Sequence, residues 1–430
     1  MKNKIIPAIK SVFILALAAL AVYQVNLLWL DRMTNRNFFL YLAARFPSAV
    51  PDGQSAFTRP YRIVSGIGDE LFDMRYSGIE NSDEWAFGET AIKAVLNSGV
   101  FVNTAALSQV YSRPVIIYEY AFSMETEKFS QALGLRSNDV FSDAGIEAFT
   151  GIAVQPPITE DDLLRVFFIN GWQIWEFSLQ VGTRRHPAGD FEITMTPANP
   201  ERLHFVAHGT GFVPRTSTIG FSYNVVTVVN PFRDSQGLFR ISYIKTQVEP
   251  FFDNPASIIP SMGAGDVYTF SNRNTMVRYL DNAVIEYTSY RTIGRSAQEN
   301  FMTDFSAALA FVNNDIDDEI YLRHHESQGR SHIFWFDYVI DNRPLILTEA
   351  WHTGVHCDDP LFAPIEVTVE YGRVVRYRRL AYTFATGGIA WKDSSDFIAD
   401  GFFELAFPIE NRHFLNLAVL QEVPNGMGAR

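Results

Sequence analysis

Between positions 352 and 359 the chain crowds together His352, His356, Cys357, Asp358 and Asp359, groups that bind metals, titrate or attack as nucleophiles. Histidines four apart share one face of a helix and can hold a single zinc ion. Gly354 and Pro360 argue against a helix here, and no glutamate follows His352 as it does in a helical metalloprotease site. The run therefore reads as a solvated loop that binds no metal. His204 and His208 sit in an alternating segment, Leu203–His208. On a strand they share a face but stand about 13 Å apart, too far to hold one ion. His324 and His325 are neighbours and point to opposite faces of a strand, so they cannot chelate together. Asp315, Asp317, Asp318 and Glu319 offer calcium-type oxygens. They lack the glycine and the late bidentate glutamate of an EF-hand loop, and are expected in a solvated turn.

Nucleophile and phosphate motifs are absent: no G-x-S-x-G, no supported S-x-x-K, no P-loop, no dinucleotide fingerprint. Gly263-Ala264-Gly265-Asp266 and Gly387-Gly388 read as ordinary turns. The 48 acidic residues show no spacing that singles out a general acid and its base. Aromatics make up 14% of the chain and fall mostly at strand positions, where they serve a core rather than a sugar platform. No catalytic residue, cofactor or metal is expected. With 35 basic residues and a net charge of −13, the chain repels nucleic acid. Its densest basic cluster is Arg373, Arg376, Arg378 and Arg379. Glu366 and Glu370 on the preceding strand are expected to balance it across a hairpin, which leaves no anion site.

The elements that carry these residues begin with an anchor. Lys2, Lys4 and Lys10 precede nineteen uncharged residues, Val12–Leu30. As a helix that run rises about 28 Å, one hydrocarbon core. Ala19-Leu20-Ala21 resembles a cleavage site, but the apolar run continues through Trp29, which suits an interfacial belt. A retained single-pass helix with the N-terminus cytoplasmic and the bulk of the chain outside the cell membrane is expected. Gln24 and Asn26, amides inside this run, are the candidate residues for contact with a partner helix. Cys357 is the one cysteine, so no intramolecular disulfide forms and a lipoprotein anchor is excluded. An exported chain without disulfides fits a Gram-positive envelope protein.

The fold expected is α+β: the transmembrane helix, then two or three extracytoplasmic domains of mixed helix and antiparallel sheet. Proline-rich breaks at Gln155-Pro156-Pro157 and Pro250–Pro260 mark the divisions. They give residues 1–10 as a cytoplasmic n-region, 11–30 as anchor, 31–157 as a mixed domain, 158–250 as a β-rich domain and 251–430 as a C-terminal α+β domain. In the first, Ser82 caps a helix with Trp85, Gly88, Ile92, Val95 and Leu96 on one face and Gly99 past its end. Val115–Tyr118 follows as a buried strand. The second opens on a short helix at Thr159-x-x-Asp162 and continues as strands Trp172–Val181, Phe191–Thr196 and Phe221–Val229. In the third, a capping box at Ser296–Glu299 starts a helix that buries Phe301, Phe305, Ala308, Leu309 and Val312. Strands are expected at Ile333–Ile340, Leu345–Leu347, Ile365–Tyr371 and Val374–Leu380.

Several stretches resemble the YycH family and its relative YycI. They are the membrane exit Leu28–Asp31 with Asn35–Phe39, then Phe251–Pro255, Tyr268–Ser271 and Val277–Tyr287. Phe336-Asp337-Tyr338, Ile365–Val369, Gly372–Val375 and Tyr377–Arg379 complete the set. The likeness covers the anchor and most of 251–430, which it makes YycI-like. Tyr371-Gly372 departs from the Asn-Gly expected at the hairpin. The resemblance implies a non-enzymatic, membrane-anchored regulator that associates with a WalK-type sensor histidine kinase, and with a YycI-like companion, in a two-component system controlling cell-wall metabolism. From other classes, an envelope hydrolase and a ligand-binding envelope module stand as alternatives.

Overall fold

A computed structural model describes residues 53–68, 71–76, 82–135, 138–157, 162–180, 205–208, 211–214, 221–280 (without 235, 237 and 264–266), 283–291, 300–340, 343–346, 362–392 and 418–422. The expected anchor, with Gln24 and Asn26, lies outside them, as does the run from His352 to Asp359. Among the described residues no helix is long and apolar enough to cross a membrane. The architecture is mixed α/β with antiparallel sheets predominating.

The first sheet grows outward from a strand too apolar to tolerate solvent on either face. β1 (Arg62–Ile67) and β2 (Leu71–Tyr76) form a hairpin, and β1 also pairs with β4 (Pro114–Glu125). β4 buries Val115 through Tyr120 without a break. It is followed by β5 (Ala148–Gln155), β6 (Leu163–Asn170) and β7 (Gln173–Gln180). β3 (Val100–Thr104), β8 (Phe205–His208) and β9 (Gly211–Pro214) complete the order β3-β7-β6-β5-β4-β1-β2-β8-β9. α1 (Gly53–Thr58) precedes β1, and α2 (Ser82–Ser98) covers β4 to β7. Its expected face is buried: Trp85, Ile92, Val95 and Leu96 are all in the core. Gly88 lets the helix lie directly on the Tyr118 ring, which a Cβ at that position would strike. Gly99 ends the helix with its N–H on the Val95 carbonyl. Three short helices follow: α3 (Leu107–Tyr111), α4 (Thr126–Ala132) and α5 (Asp139–Asp143).

Two expectations fail here. No helix follows the Thr159-x-x-Asp162 signal; Asp162 pairs with Arg113, and Leu163–Asn170 continues as β6. The helical spacing of Leu163, Leu164 and Phe167 loses to Val166-Phe167-Phe168-Ile169, an apolar run buried on both faces between β5 and β7. For the same reason residues 31–157 and 158–250 are not separate domains. β5 and β6 pair along their length across the proposed boundary, and Asp52–Arg430 is one compact unit. Residues 158–250 are shared between both sheets, β6 to β9 joining the first and β10 the second. Phe191–Thr196 lies outside the described residues.

The second sheet collects β10 (Phe221–Val229), β11 (Ile259–Met262), β12 (Tyr268–Ser271), β13 (Thr275–Tyr279) and β14 (Val284–Ser289). β15 (Ile320–Gln328), β16 (Ser331–Ile340), β17 (Arg343–Ile346), β18 (Ile365–Glu370), β19 (Arg373–Leu380), β20 (Thr383–Lys392) and β21 (Ala418–Glu422) complete it. The order is β11-β12-β13-β14-β19-β18-β16-β17-β21-β10-β20, with β15 on β16. α6 (Ile241–Val248) leads into its first strands, and α7 (Phe301–Asp315) packs on β16, β18 and β19. Phe301, Phe305, Ala308, Leu309 and Val312 of α7 are buried, as are Ile365, Val367 and Val369 beneath them. The cap differs from the one expected. Asn300, immediately after the Ser296–Glu299 run, accepts the Thr303 N–H at 3.1 Å. The β18–β19 turn places Tyr371 at φ 51° and Gly372 at φ 73°. Two successive positive φ values make the tight hairpin turn that matches strand twist. Buried Asp304 holds it, accepting the Gly372 N–H and, at 2.6 Å, His332 Nδ1.

Candidate functional site

Where the two sheets meet, α1, α4, α7, β4 and β15 pack around His324 and His325, two of the titratable residues that sequence alone singled out. Phe57 of α1 sits with its ring 5.1 Å from Phe301, 5.4 Å from Phe305 and 5.7 Å from His325. Phe122 of β4 lies 5.1 Å from His325 and 6.3 Å from His324. Tyr61 and Tyr321 stack edge to face at 4.9 Å, and the Tyr321 hydroxyl donates to the Arg59 carbonyl at 3.1 Å. The Arg59 guanidinium binds Glu319. Lys128 of α4 lies 4.6 Å over the Phe301 ring.

His325 is the chemically unusual member. It is 6% exposed, and neither ring nitrogen has a hydrogen-bond partner among the described residues. Burial drives its pKa down to about 2, and Lys128, His324 and His332 push the same way. A histidine in this state is neutral at every physiological pH and exchanges no proton, so it is no general acid or base. His324 is lowered too, chiefly by burial, with Glu326 opposing. The two histidines pair with consecutive residues of β16, His324 with Trp335 and His325 with Phe334, and His325 packs against Phe57 and Phe301. The ring centroids of the two histidines lie 6.2 Å apart with the planes 17° from parallel. His324 also stacks on Trp335 at 5.4 Å. These are packing contacts.

The carboxylates are likewise committed to structure. Asp337 is buried, and burial raises its pKa while Arg323, 3.3 Å away, works against that rise. Asp315 is not the solvated calcium-type oxygen expected from its neighbours. It lies against β19, accepting the Tyr377 hydroxyl at 2.8 Å, with Arg379 Nε at 2.5 Å. Asp317 and Asp318 are exposed as expected. The arginine cluster is charge-balanced through other acids as well as its hairpin neighbours. Arg378 Nε is 3.2 Å from Glu286 on β14, which also takes Arg278, and Arg379 goes to Asp315. Glu366 faces Arg378 in register and accepts Trp335 Nε1 at 3.1 Å; Glu370 faces Arg373. The strand pairing β14-β19-β18, invisible to local spacing, is what supplies Glu286. Among the described residues no group of three His, Cys, Asp or Glu could hold a metal. His208 lies in β8, while His204, His352, His356 and Cys357 fall outside the described residues. An open depression is lined by Asp253, Asn254, Ser257, Asn272, Arg273 and Asn274, and Asp253 pairs with Arg291.

The surface carries a different signal. β3, the edge of the first sheet, is exposed throughout, with Val100 at 68%, Phe101 at 38% and Val102 at 52%. Trp172, in the β6–β7 turn, is 76% exposed. Nothing in the sequence patterning marked these positions, because Val-Phe-Val reads as core wherever it occurs.

No protein-family model matches the chain, and no curated protein matches it. Among solved structures, the chain is similar to the crystal structure of YycH from Bacillus subtilis, at 10% identity and a TM-score of 0.45, over 80% of this chain and 86% of that one.

Proposed function

We propose that this protein is a membrane-anchored, extracytoplasmic regulator that acts by contact on a WalK-type sensor histidine kinase of a two-component system governing cell-wall metabolism. One observation carries the reading. The C-terminal stretches that resemble the YycH and YycI families, dispersed over more than a hundred positions, converge on one body. Tyr268–Ser271 is β12; Val277–Tyr287 spans β13 and β14; Phe336–Tyr338 lies in β16; Ile365–Val369 and Arg373–Arg379 are β18 and β19. These strands are contiguous in the order β12-β13-β14-β19-β18-β16, and α7 packs on the last three. The stretches that carry the resemblance thus share one sheet. In the proposed topology the Val12–Leu30 helix spans the cell membrane with Lys2, Lys4 and Lys10 inside, and Gln24 and Asn26 face a kinase helix. Confinement to one membrane raises the effective concentration of the two proteins, so weak contacts suffice. The regulator shifts kinase output by binding its signalling states unequally.

The test is recovery from native membranes. A tagged full-length chain, crosslinked in cells and solubilised, is expected to bring down a sensor kinase in stoichiometric amount. Exchange of residues 12–30 for an unrelated apolar helix is expected to reduce that yield. Recovery of cell-wall polymers or their hydrolysis products in place of any kinase would reject the proposal in favour of an envelope enzyme or ligand-binding module.

A further inference from the structure

We propose that α1 is an acid-released latch: its Phe57 closes the seam between the two sheets over His325, and protonation of that ring frees the helix. Among the described residues the two sheets share no strand pairing. Packing joins them instead, of α1, α4 and β4 against α7 and β15. Phe57 is common to these contacts. It is 1% exposed, and its ring lies within 6.3 Å of Phe122, Phe301, Phe305 and His325. The same packing holds α1 itself, because a helix of six residues does not persist alone in water. α1 lies close on α7, where a Cβ at Gly53 would strike Ser306. It belongs to no sheet, so it can leave without breaking a strand pair. Its far end is pinned. The Tyr120 hydroxyl donates to the Thr58 carbonyl at 3.0 Å, and the Tyr321 hydroxyl to the Arg59 carbonyl. Those bonds make Thr58 and Arg59 the pivot and leave Phe57 as the part that swings.

The trigger is the group that Phe57 covers. His325 is buried, and among the described residues both its ring nitrogens lack a hydrogen-bond partner. A buried polar ring in this state costs free energy while neutral and far more once charged. The ionisable groups around it are engaged elsewhere. α1 carries none from Gly53 to Thr58. β4 presents Phe122, and its acids Glu119 and Glu125 bind Arg62 and Lys128 of α4. On β16, His332 is held at 2.6 Å by Asp304 of α7. On β15 itself Arg323 pairs with Asp337, His324 stacks on Trp335, and Glu326 is exposed. Lys128, His324 and His332 join burial in keeping the His325 ring uncharged. The closed latch therefore excludes a proton that the open latch admits at the ordinary histidine value, near 6.5. Between pH 7 and pH 5 the open state gains up to about 25-fold over the closed one. The device belongs to the fold and stands whether or not the chain meets a kinase.

The experiment follows hydrogen exchange in the full-length chain in detergent micelles, read as protection relative to an unstructured amide at the same pH. At both pH 7 and pH 5, α1 should be less protected than β5 and β6, because it opens without the rest of the fold. From pH 7 to pH 5 its protection should fall at least about fivefold and by up to about 25-fold. The fall should vanish in His325→Phe, which cannot take up the proton, and persist in His324→Gln, one position along the strand. Protection of α1 equal to that of β5 and β6 overturns the inference, since α1 would then leave only when the whole chain unfolds. So does a fall smaller than about fivefold in the unmodified chain, a fall undiminished in His325→Phe, or one abolished in His324→Gln. Should His325→Phe fail to fold, the unmodified chain and His324→Gln still decide the matter.

Discussion

Lowering the pH from 7 to 5 will weaken the fold through His325. In the folded protein its ring stays neutral, with a pKa near 2, because it is buried among Phe57, Phe122 and Phe301 and because Lys128, His324 and His332 push the same way. In the unfolded chain the same ring titrates near 6.5, as histidines ordinarily do. Below that value the unfolded state gains a proton that the folded state refuses, so stability falls by about 1.4 kcal/mol per pH unit. Integrated from pH 7 to pH 5, the loss is about 2 kcal/mol, a substantial share of the 5–15 kcal/mol typical of a domain. His324 adds in the same direction. Asp337 acts oppositely, since a carboxyl raised by burial stabilises the fold as pH falls. These two contributions are common to wild type and variant, so comparison with His325→Phe isolates the single residue. Urea unfolding of the full-length chain, followed by tryptophan fluorescence at half-unit steps of pH, provides the readout. The variant's free energy is expected to fall less steeply, by about 1.4 kcal/mol per unit below pH 6. Equal slopes in the two proteins would show that His325 is solvated or paired in solution.

Phe305 is fully buried between Phe57, Phe334 and Phe336, and Phe305→Ala should cost about 3–5 kcal/mol in the same unfolding assay. Asp315→Ala leaves the buried Arg379 guanidinium without its carboxylate, and about 3–5 kcal/mol of destabilisation is expected, read as a lowered urea midpoint. Tyr371 holds a left-handed conformation that costs an ordinary side chain about 1–2 kcal/mol. Tyr371→Asn should therefore raise the melting temperature, since asparagine tolerates this turn position.

Local periodicity was legible and long-range pairing was not. The α2 and α7 faces and the β18–β19 hairpin followed from spacing, because each buries one side against a single neighbouring layer. β6 was misjudged because it is covered on both faces, which erases the alternation that distinguishes a strand from a helix. The domain boundary at 157–158 failed with it: Pro156 and Pro157 end β5 without ending the sheet, and β6 returns to pair with it. The partners Asp315 found, Tyr377 and Arg379, lie more than sixty positions away in sequence, beyond any local rule. Isolation of His325 was equally hidden, since Phe57, Phe122 and Phe301 come from three distant segments. Nothing in the spacing of Val100, Phe101 and Val102 told a core strand from an exposed edge, which depends on which strand ends the sheet.

The most direct test of the proposed regulatory role is the autophosphorylation rate of a purified WalK-type kinase in proteoliposomes, measured with and without the full-length chain in the same bilayer. The rate should change when the chain is present, saturate with its surface density, and return toward the kinase-alone value when residues 12–30 are replaced by an unrelated apolar helix. A rate that stays constant at every density, with no kinase crosslinked to the chain, would contradict the account.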